Sequence, residues 1–349
     1  MSYITPKAER KGLKLYGSPN EVFLVGAIIL LSLIIGFTNP VFFSISTPFD
    51  LIRSSLVEII FALGLLIVLV SGGIDISFPI IGIFAGYTTV VIMIAYDLDT
   101  YSLIIPLILA AIIGAMLGSV NALLIAGFKL PTLIATLGTA GMFRGFLLSF
   151  VGSSYIANIP RGLDAFATAD LFSMTTANGT LARLHVLLVP VLILGIAIAW
   201  MMQRTMFGRS IYAIGGSEES ARRMGINVTW VKARIYILVG ALAGVAGILF
   251  VAMRRSADPY ELAGAELGII AAVVLGGASI MGGYGTVTGT FLGVLLIKLI
   301  QNNLILLGIP GTWQRAAIGL MLLIGVSSQA IAEARRRKRT TVVSEEDTK

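Results

Sequence analysis

Polar side chains interrupt several of the long apolar runs in this sequence. Ionisable and amide groups are expensive in an apolar environment, so they are candidates for a path along which a polar solute moves. Amides and hydroxyls both donate and accept hydrogen bonds, which suits a solute rich in hydroxyl groups. The candidate path residues are Asp75, Ser77, Asn121, Thr136, Thr139, Arg144, Gln301, Asn302 and Asn303.

Each of these residues also has a purely structural explanation. Asp75 and Ser77 could cap a helix that begins after the Gly72-Gly73 pair. The amide and hydroxyl side chains could instead join helices through hydrogen bonds. Arg144 could neutralise a carboxylate or cap carbonyl groups, and Lys298 could extend its ammonium toward the membrane surface.

A polar, charged segment, AIGGSEESARRMGINVTW, lies between two apolar runs at Ala213 to Trp230. Ser217 is a suitable N-cap and Gly225 a suitable C-terminal cap, so the segment predicts a short amphipathic helix. Its predicted apolar side consists of Ala221, Met224 and Ile226. Such a helix either is a solvated element that fixes topology through its arginines or is a rigid docking site for a cytoplasmic partner. The candidate docking residues are Gly215, Gly216, Glu218, Glu219, Arg222, Arg223, Met224, Gly225 and Ile226.

Glycines recur at helical spacing in the second half of the chain. Residues four apart lie on one helix face, and glycine there lets two helices approach closely. The residues predicted to form such packing faces are Gly240, Gly244, Gly285, Gly289 and Gly293. The pairs Gly72-Gly73, Gly276-Gly277 and Gly282-Gly283 differ, because adjacent glycines favour a break in a helix.

The elements that must position these residues are membrane-spanning helices. The chain of 349 residues is 57% hydrophobic and 12% charged, whereas a soluble domain carries roughly 25% charged residues. Apolar runs long enough to cross the hydrocarbon core recur about ten times. They lie near residues 21–37, 54–70, 76–95, 101–125, 132–151, 184–202, 233–253, 262–275, 286–307 and 313–331. The sequence therefore predicts an all-α, polytopic membrane protein.

Basic residues divide unequally between the loops. If the N-terminus is cytoplasmic, most Lys and Arg residues fall on the same side as that terminus, and cytoplasmic loops carry such an excess. This bias predicts that both termini and the loop at 203–234, which contains the charged segment, are cytoplasmic. The predicted organisation is a cytoplasmic segment at 1–20, a transmembrane domain at 21–332 and a cytoplasmic tail, first basic and then acidic, at 333–349.

The composition argues against several kinds of chemistry. The sequence has no cysteine and one histidine, and its polar residues form no nucleophile or paired-carboxylate constellation. Enzymatic activity, a metal site and a cofactor site are therefore not expected. No G-x-x-x-x-G-K-[ST] phosphate loop is present, so transport would draw its energy from another subunit or from an ion gradient. The net charge of +7 reflects topology rather than nucleic-acid binding.

Several segments of the chain share a resemblance with one transporter family. They are LVSGGIDIS at Leu69 to Ser77, NALLIAGFKLPTLIATLGTAGMFRGF at Asn121 to Phe146, the charged segment with the helix after it to Leu249, and IIAAVVLGGASIMGGYGTVTGTFLG at Ile269 to Gly293. All of them resemble permease subunits of ATP-binding cassette (ABC) importers for ribose and simple sugars, the second class of carbohydrate uptake transporters. Two positions depart from that pattern. The family commonly continues Gly-Gly-Ile-Asp with Leu-Ser-Val-Gly, where this chain has Ile76 to Pro79, and it has Asp where this chain has Gly268.

The resemblance implies a type II importer fold and a permease that moves a monosaccharide or related polyhydroxylated solute across the bacterial inner membrane. It implies a second permease subunit, identical or paralogous, a cytoplasmic ABC ATPase that binds the ATP, and a periplasmic sugar-binding protein. The segment at Gly215 to Ile226 would receive the movement of the ATPase. Two alternatives stay open. One is a branched-chain amino acid ABC permease, which shares the fold and some glycine patterning, and the other is an ion-coupled secondary transporter using Asp75 or Glu58.

Overall fold

A computed structural model describes residues 19–98, 102–175, 181–304 and 307–327, and most of them are helical, which confirms the all-α prediction. The predicted tail and nearly all of the predicted N-terminal segment lie outside the described residues. The helices are α1 (Pro19–Thr38), α2 (Ser46–Val70), α3 (Phe78–Ala95), α4 (Ile104–Ala122), α5 (Thr132–Phe146), α6 (Arg161–Ala167), α7 (Leu188–Arg204), α8 (Met206–Gly216), α9 (Glu218–Arg223), α10 (Val228–Arg254), α11 (Ala265–Leu275), α12 (Val287–Asn303) and α13 (314–327). Single π-helical turns continue α4 at Leu123–Gly127 and α5 at Leu147–Val151. Short 3-10 turns lie at Pro40–Phe43 and Gly311–Trp313.

A helix lies at each of the ten places where the sequence predicts a membrane span. By length and apolar composition, however, only 6 of the described helices qualify as spans, or up to 7 if the bent pair of α7 and α8 counts as one. The difference arises because α11, with 11 residues, ends at the Gly276-Gly277 break, and α12 has 17 residues. The last predicted span continues past residue 327, where the described residues end.

The described part of the long segment between α5 and α7 contains α6 and two paired strands. Its strands β1 (Asp170–Thr175) and β2 (Leu181–His185) pair antiparallel. Asp164 of α6 accepts a hydrogen bond from Arg255 Nε at 2.6 Å, just after the end of α10. The segment is therefore attached to the end of α10.

Helix α10 lies at the centre of the molecule and packs against α2, α3 and α4. Its contact with α4 is made through glycines. A Cβ at Gly240 would overlap the carbonyl oxygen of Gly114, and a Cβ at Gly244 would overlap that of Ala110. The two backbones therefore lie at a distance that leaves no room for a side chain at these positions.

The glycines of the other predicted packing face contact two different helices. A Cβ at Gly289 would overlap the carbonyl oxygen of Gly276, and a Cβ at Gly293 would overlap that of Ala272, so both residues face α11. Gly285 instead precedes α12, and its Cβ would stand 2.8 Å from a methyl carbon of Val70 in α2. The glycine series thus includes one residue that is not on the helix face, because α12 begins only at Val287.

Candidate functional site

The charged segment begins at the end of the second helix of a sharply bent pair. α7 and α8 meet at an angle of 70°. Thr205, whose backbone is extended between them, caps α8 by accepting a hydrogen bond from Gly208 N at 3.1 Å. α8 ends at Gly216 and α9 begins at Glu218. α8 therefore connects α7 to α9, and its last residues, from Ala213 onward, are the start of the charged segment.

Both ends of α9 are capped within the segment. Ser217 Oγ accepts a hydrogen bond from a backbone N–H of the first turn at 3.2 Å. At the other end, Gly225 has φ +83°, a left-handed conformation that glycine adopts without a Cβ penalty. Its N–H donates to Arg222 O at 3.0 Å, and the Ile226 N–H donates to Ala221 O at 3.1 Å, which are the two bonds of a Schellman motif. A helix of only 6 residues thus has defined ends.

α9 buries one small residue and leaves a large apolar residue in solvent. Ala221 is buried against Ile214 and Val228. Ile226 packs against the same cluster, whereas Met224 is 68% exposed. The predicted apolar side is therefore confirmed for Ala221 and Ile226 and is wrong for Met224. The reason is that Met224 occupies the C-cap, one residue beyond the last residue of α9. The exposed Met224 offers an apolar contact beside a charged helix face.

One ion pair joins α9 to the start of α10, and two others lie within α9. Glu218 accepts from Arg222 at 2.7 Å and from Lys232 of α10 at 2.6 Å. The hydrogen bonds from Lys232 and then from Arg222 hold the pKa of Glu218 below its usual value. Arg223 pairs with Glu219 one turn earlier in the helix. Because Glu218 joins the two helices, a displacement of α9 also acts on α10.

Glycines from three distant parts of the chain meet beside the end of α8. A Cβ at Gly215 would overlap the Val70 carbonyl oxygen and lie 2.5 Å from Gly283 N. Gly283 N donates to Val70 O at 2.8 Å. A Cβ at Gly282 would stand 2.7 Å from Gly72 Cα, and both of these glycines have positive φ. We call Gly72, Gly215, Gly282 and Gly283 the glycine junction, and it joins α8 to the end of α2 and to the loop between α11 and α12.

Part of the candidate path forms one hydrogen-bonded network, which we call the inner polar network. Asp75 Oδ1 accepts from both the N–H and the hydroxyl of Ser77, each at 2.7 Å. Asn121 donates to Ser77 Oγ at 2.8 Å and accepts from Thr139 Oγ1 at 2.7 Å. Thr136 Oγ1 accepts a longer bond, 3.3 Å, from the backbone between Asp75 and Ser77. All these side chains are buried and bond with their neighbours, so the network joins the start of α3 to α4 and α5.

The structure places the amides of α12 far from the inner polar network. Asn302 donates to Ser54 Oγ at 2.8 Å. Ser54 lies near the start of α2, about 24 Å along that helix from Val70 at a rise of 1.5 Å per residue. Gln301 and Asn303 belong to the same turn of α12 as Asn302. The candidate path residues are therefore divided between the two ends of α2.

Two cations within the apolar helices have surroundings that differ from the sequence expectation. Lys298 forms an ion pair with Glu58 of α2, so the prediction that its ammonium extends toward the membrane surface is wrong. In a low-dielectric environment, a charged side chain has a lower free energy when it is paired with an opposite charge than when it is alone. Arg144 is half-buried on α5 and has no ion pair or hydrogen bond with any described residue, so the carboxylate or carbonyl partner expected for it is not found there.

Sequence reasoning missed several residues whose importance depends on their neighbours. Gly114 and Gly118 of α4 face Gly240 of α10, and their four-residue spacing is the same signal that marked the glycines of α10. Lys232 carried no comparable signal, because its partner Glu218 lies 14 positions earlier in the chain.

Comparisons with known proteins show extended similarity to transporter permeases. A family model described as branched-chain amino acid transport system / permease component matches residues 47–326. The LsrC permease proteins of autoinducer 2 import systems from Yersinia pseudotuberculosis and Salmonella typhi are each 32% identical to this chain over 311 residues. These matches cover 89% of this chain and 85% or 86% of the relatives. LsrC from Enterobacter sp. is 33% identical over 297 residues, which is 85% of this chain and 82% of that relative.

Proposed function

We propose that this chain, which belongs to the branched-chain amino acid transport system / permease component family, carries a sugar-like, polyhydroxylated solute as the membrane subunit of an ATP-driven importer. The family is one of transporter permeases rather than enzymes, and the chain is a multi-pass permease of the inner membrane. The observation that carries the proposed solute class is the similarity, over 89% of the chain, to permeases named for autoinducer 2 import. The family implies a cytoplasmic ATPase and a periplasmic binding protein as partners. We include a second permease subunit, identical or paralogous, in the proposal.

The proposed route of energy runs through α9. Its exposed charges and Met224 are suited to a partner surface, whereas Ala221 anchors it to α8 and α10. A movement of the ATPases would displace α9, and the glycine junction would carry that displacement to the ends of α2 and α12. A partner shifts an equilibrium between two conformations of the permease only if it contacts them differently. We propose α9 as the element that makes these different contacts.

The proposed orientation has α9 and both termini in the cytoplasm. The excess of Lys and Arg on that side supports it. Two contacts between residues near helix ends agree with this orientation. At the end of the molecule assigned to the cytoplasm, Thr286 donates a hydrogen bond to Glu21 at 3.0 Å. At the opposite end, Arg255 pairs with Asp164. Each contact joins residues that the charge bias assigns to one side.

A branched-chain amino acid permease is the second candidate, because the matching family carries that description. An ion-coupled transporter has less support. Glu58 is paired with Lys298, and Asp75 accepts two hydrogen bonds from Ser77. Both carboxylates therefore have structural partners in the described part of the chain.

Uptake by the assembled importer tests the solute class. Proteoliposomes that contain this chain, its ATPase and its binding protein are given autoinducer 2, ribose or leucine at equal concentration with ATP inside. We expect ATP-dependent uptake of autoinducer 2 or ribose and none of leucine. Uptake of leucine alone would establish the second candidate, and uptake by the isolated chain under an ion gradient would remove the ATPase from the proposal.

A charge exchange on α9 tests its role in docking. Charge reversal at Arg222 and Arg223 alone would weaken the ATPase contact but would also break their intrahelical pairs. The double variant Glu219→Arg with Arg223→Glu instead keeps the pair in reverse order, at a cost of a few tenths of a kcal/mol. We expect at least a roughly tenfold loss of co-purified ATPase and of coupled uptake, because a desolvated charge mismatch costs several kcal/mol.

The matched control for this exchange is Glu219→Gln with Arg223→Gln, which removes the pair without introducing a repulsive charge. Its ATPase association should fall less than that of the exchanged variant. Equal behaviour of the exchanged variant and the wild type would show that this face of α9 does not contact the ATPase.

A further inference from the structure

A cleft with a net positive charge lies behind α9, between the start of α10 and the loop that connects α4 to α5. Its volume is about 410 Å³, within the roughly 300–1,000 Å³ range of small-molecule sites. The lining residues that matter here are Lys129, Leu130, Arg222, Lys232 and Glu218. Three cations therefore face one carboxylate.

The charges of the cleft are not balanced by its own residues. Glu218 accepts hydrogen bonds from both Arg222 and Lys232. Lys129 has no ion pair or side-chain hydrogen bond with any residue that the structure describes. Its backbone has φ +59°, a conformation that costs a non-glycine residue about 1–2 kcal/mol. The chain thus holds an uncompensated cation at the rim of the cleft in an unfavourable backbone conformation.

The residues on either side of Lys129 are apolar and exposed. Phe128 is 67% exposed and Leu130 is 41% exposed. Trp230 follows the lining residue Thr229 in the chain. It is 56% exposed, and the guanidinium of Arg234 lies 4.6 Å from the centre of its ring. Exposed aromatic residues beside cations are typical of the level at which lipid head groups meet acyl chains.

We infer that this cleft binds the phosphate-bearing head group of an anionic phospholipid. The phosphate would occupy the space between Lys129, Lys232 and Arg222, where charge-assisted hydrogen bonds to its oxygens are available. The acyl chains would lie against Phe128 and Leu130. Basic pockets between transmembrane helices on the cytoplasmic side bind anionic head groups in this manner. The cytoplasmic position of the cleft is taken from the proposed function, but the binding itself does not require the ATPase.

The apolar neighbours favour a lipid over the other anions that the cations could hold. A free phosphate would use the three cations but would make no contact with the exposed Phe128 and Leu130. A carboxylate of a partner protein would enter a cleft that is also lined by the buried, apolar Ile125 and Ala126 of the π-helical turn after α4. Only an amphipathic ligand satisfies both the charge and the exposed apolar surface.

Lipid binding to the purified full chain tests the inference. The chain in detergent is titrated with phosphatidylglycerol or with phosphatidylcholine of the same acyl chains, and bound lipid is counted by native mass spectrometry. We expect preferential binding of phosphatidylglycerol. Lys129→Gln should weaken it about fivefold, the effect of one cation near an anionic lipid, and Lys129→Arg should retain it. Arg209→Gln, which removes an exposed cation of α8 outside the cleft, should leave binding unchanged.

The other possible ligands give different results in the same assay. Equal binding of the two lipids, or wild-type binding by Lys129→Gln, would overturn the inference. Displacement of phosphatidylglycerol by an equal concentration of inorganic phosphate or glycerol 3-phosphate would identify a soluble anion instead. If Lys129→Gln keeps its lipid but loses the ATPase, the cleft is part of a protein interface. Failure of the lipid assay leaves the uptake experiment untouched, so the two proposals fail separately.

Discussion

Gly215→Ala is expected to abolish solute uptake by the assembled importer, whereas Gly216→Ala, one residue later, should reduce uptake much less. A Cβ at Gly215 would overlap the Val70 carbonyl oxygen and crowd Gly283 N. Both neighbours are backbone atoms, so no side-chain rotation relieves the overlap, and α8 must move away from α2. Overpacking of this kind costs about 1–3 kcal/mol of stability. We expect uptake to fall more than the stability loss explains, because we propose that the glycine junction carries the movement of α9.

Paired measurements of uptake and of ATP hydrolysis check this prediction. A Cβ added at Gly216 would meet no atom within 4 Å, so the alanine variant at this position controls for the change in helix propensity. In the Gly215 variant, hydrolysis should continue without transport. If the two alanine variants transport equally well, the contact between α8 and the end of α2 is not part of the coupling route.

Gly240→Ala is expected to have a large effect on folding. Its methyl group would overlap the carbonyl oxygen of Gly114 and would stand 2.8 Å from Gly118 Cα. α10 and α4 would have to separate along an interface that depends on close backbone contact for its van der Waals attraction. We expect a loss of about 3 kcal/mol, seen as a lower thermal unfolding temperature and a smaller yield of monodisperse protein in detergent.

A glycine in another membrane helix provides the control for Gly240. Gly141 of α5 has no atom within 4 Å of an added Cβ, so Gly141→Ala should leave the unfolding temperature unchanged or slightly raised. Equal unfolding temperatures for Gly240→Ala and Gly141→Ala would show that the α4–α10 contact is not needed for stability.

Local signals in the sequence were sufficient to predict elements whose geometry is set by a few neighbouring residues. Ser217 and Gly225 cap α9 through bonds within nine residues of chain. The Gly72-Gly73 and Gly276-Gly277 pairs follow the ends of α2 and α11 for the same reason, because a left-handed residue after a helix is a local conformational preference.

Relations between distant residues could not be predicted in this way. No pattern in the sequence shows that Gly215 meets Val70 and Gly283, since that contact depends on how α8 bends away from α7. The sequence also does not show which of the candidate path residues lie close together. Asp75 and Asn302 were grouped because both are polar within apolar runs, but the antiparallel course of the helices places them at opposite ends of α2. The sequence identifies polar residues within apolar runs, but the packing of the helices determines which of these residues contact one another.

Helix α10 crosses the molecule without interruption. Its 27 residues correspond to a length of about 40 Å, and no residue between Val228 and Arg254 has a positive φ. One end is bonded to α9 through Lys232, and just beyond the other end Arg255 is bonded to Asp164. The helix therefore connects the two ends of the molecule, and any coupling between binding events at these ends must be reciprocal. If nucleotide binding in the cytoplasm changes the affinity for a solute-loaded binding protein outside by some factor, docking of that protein must change the affinity for nucleotide by the same factor.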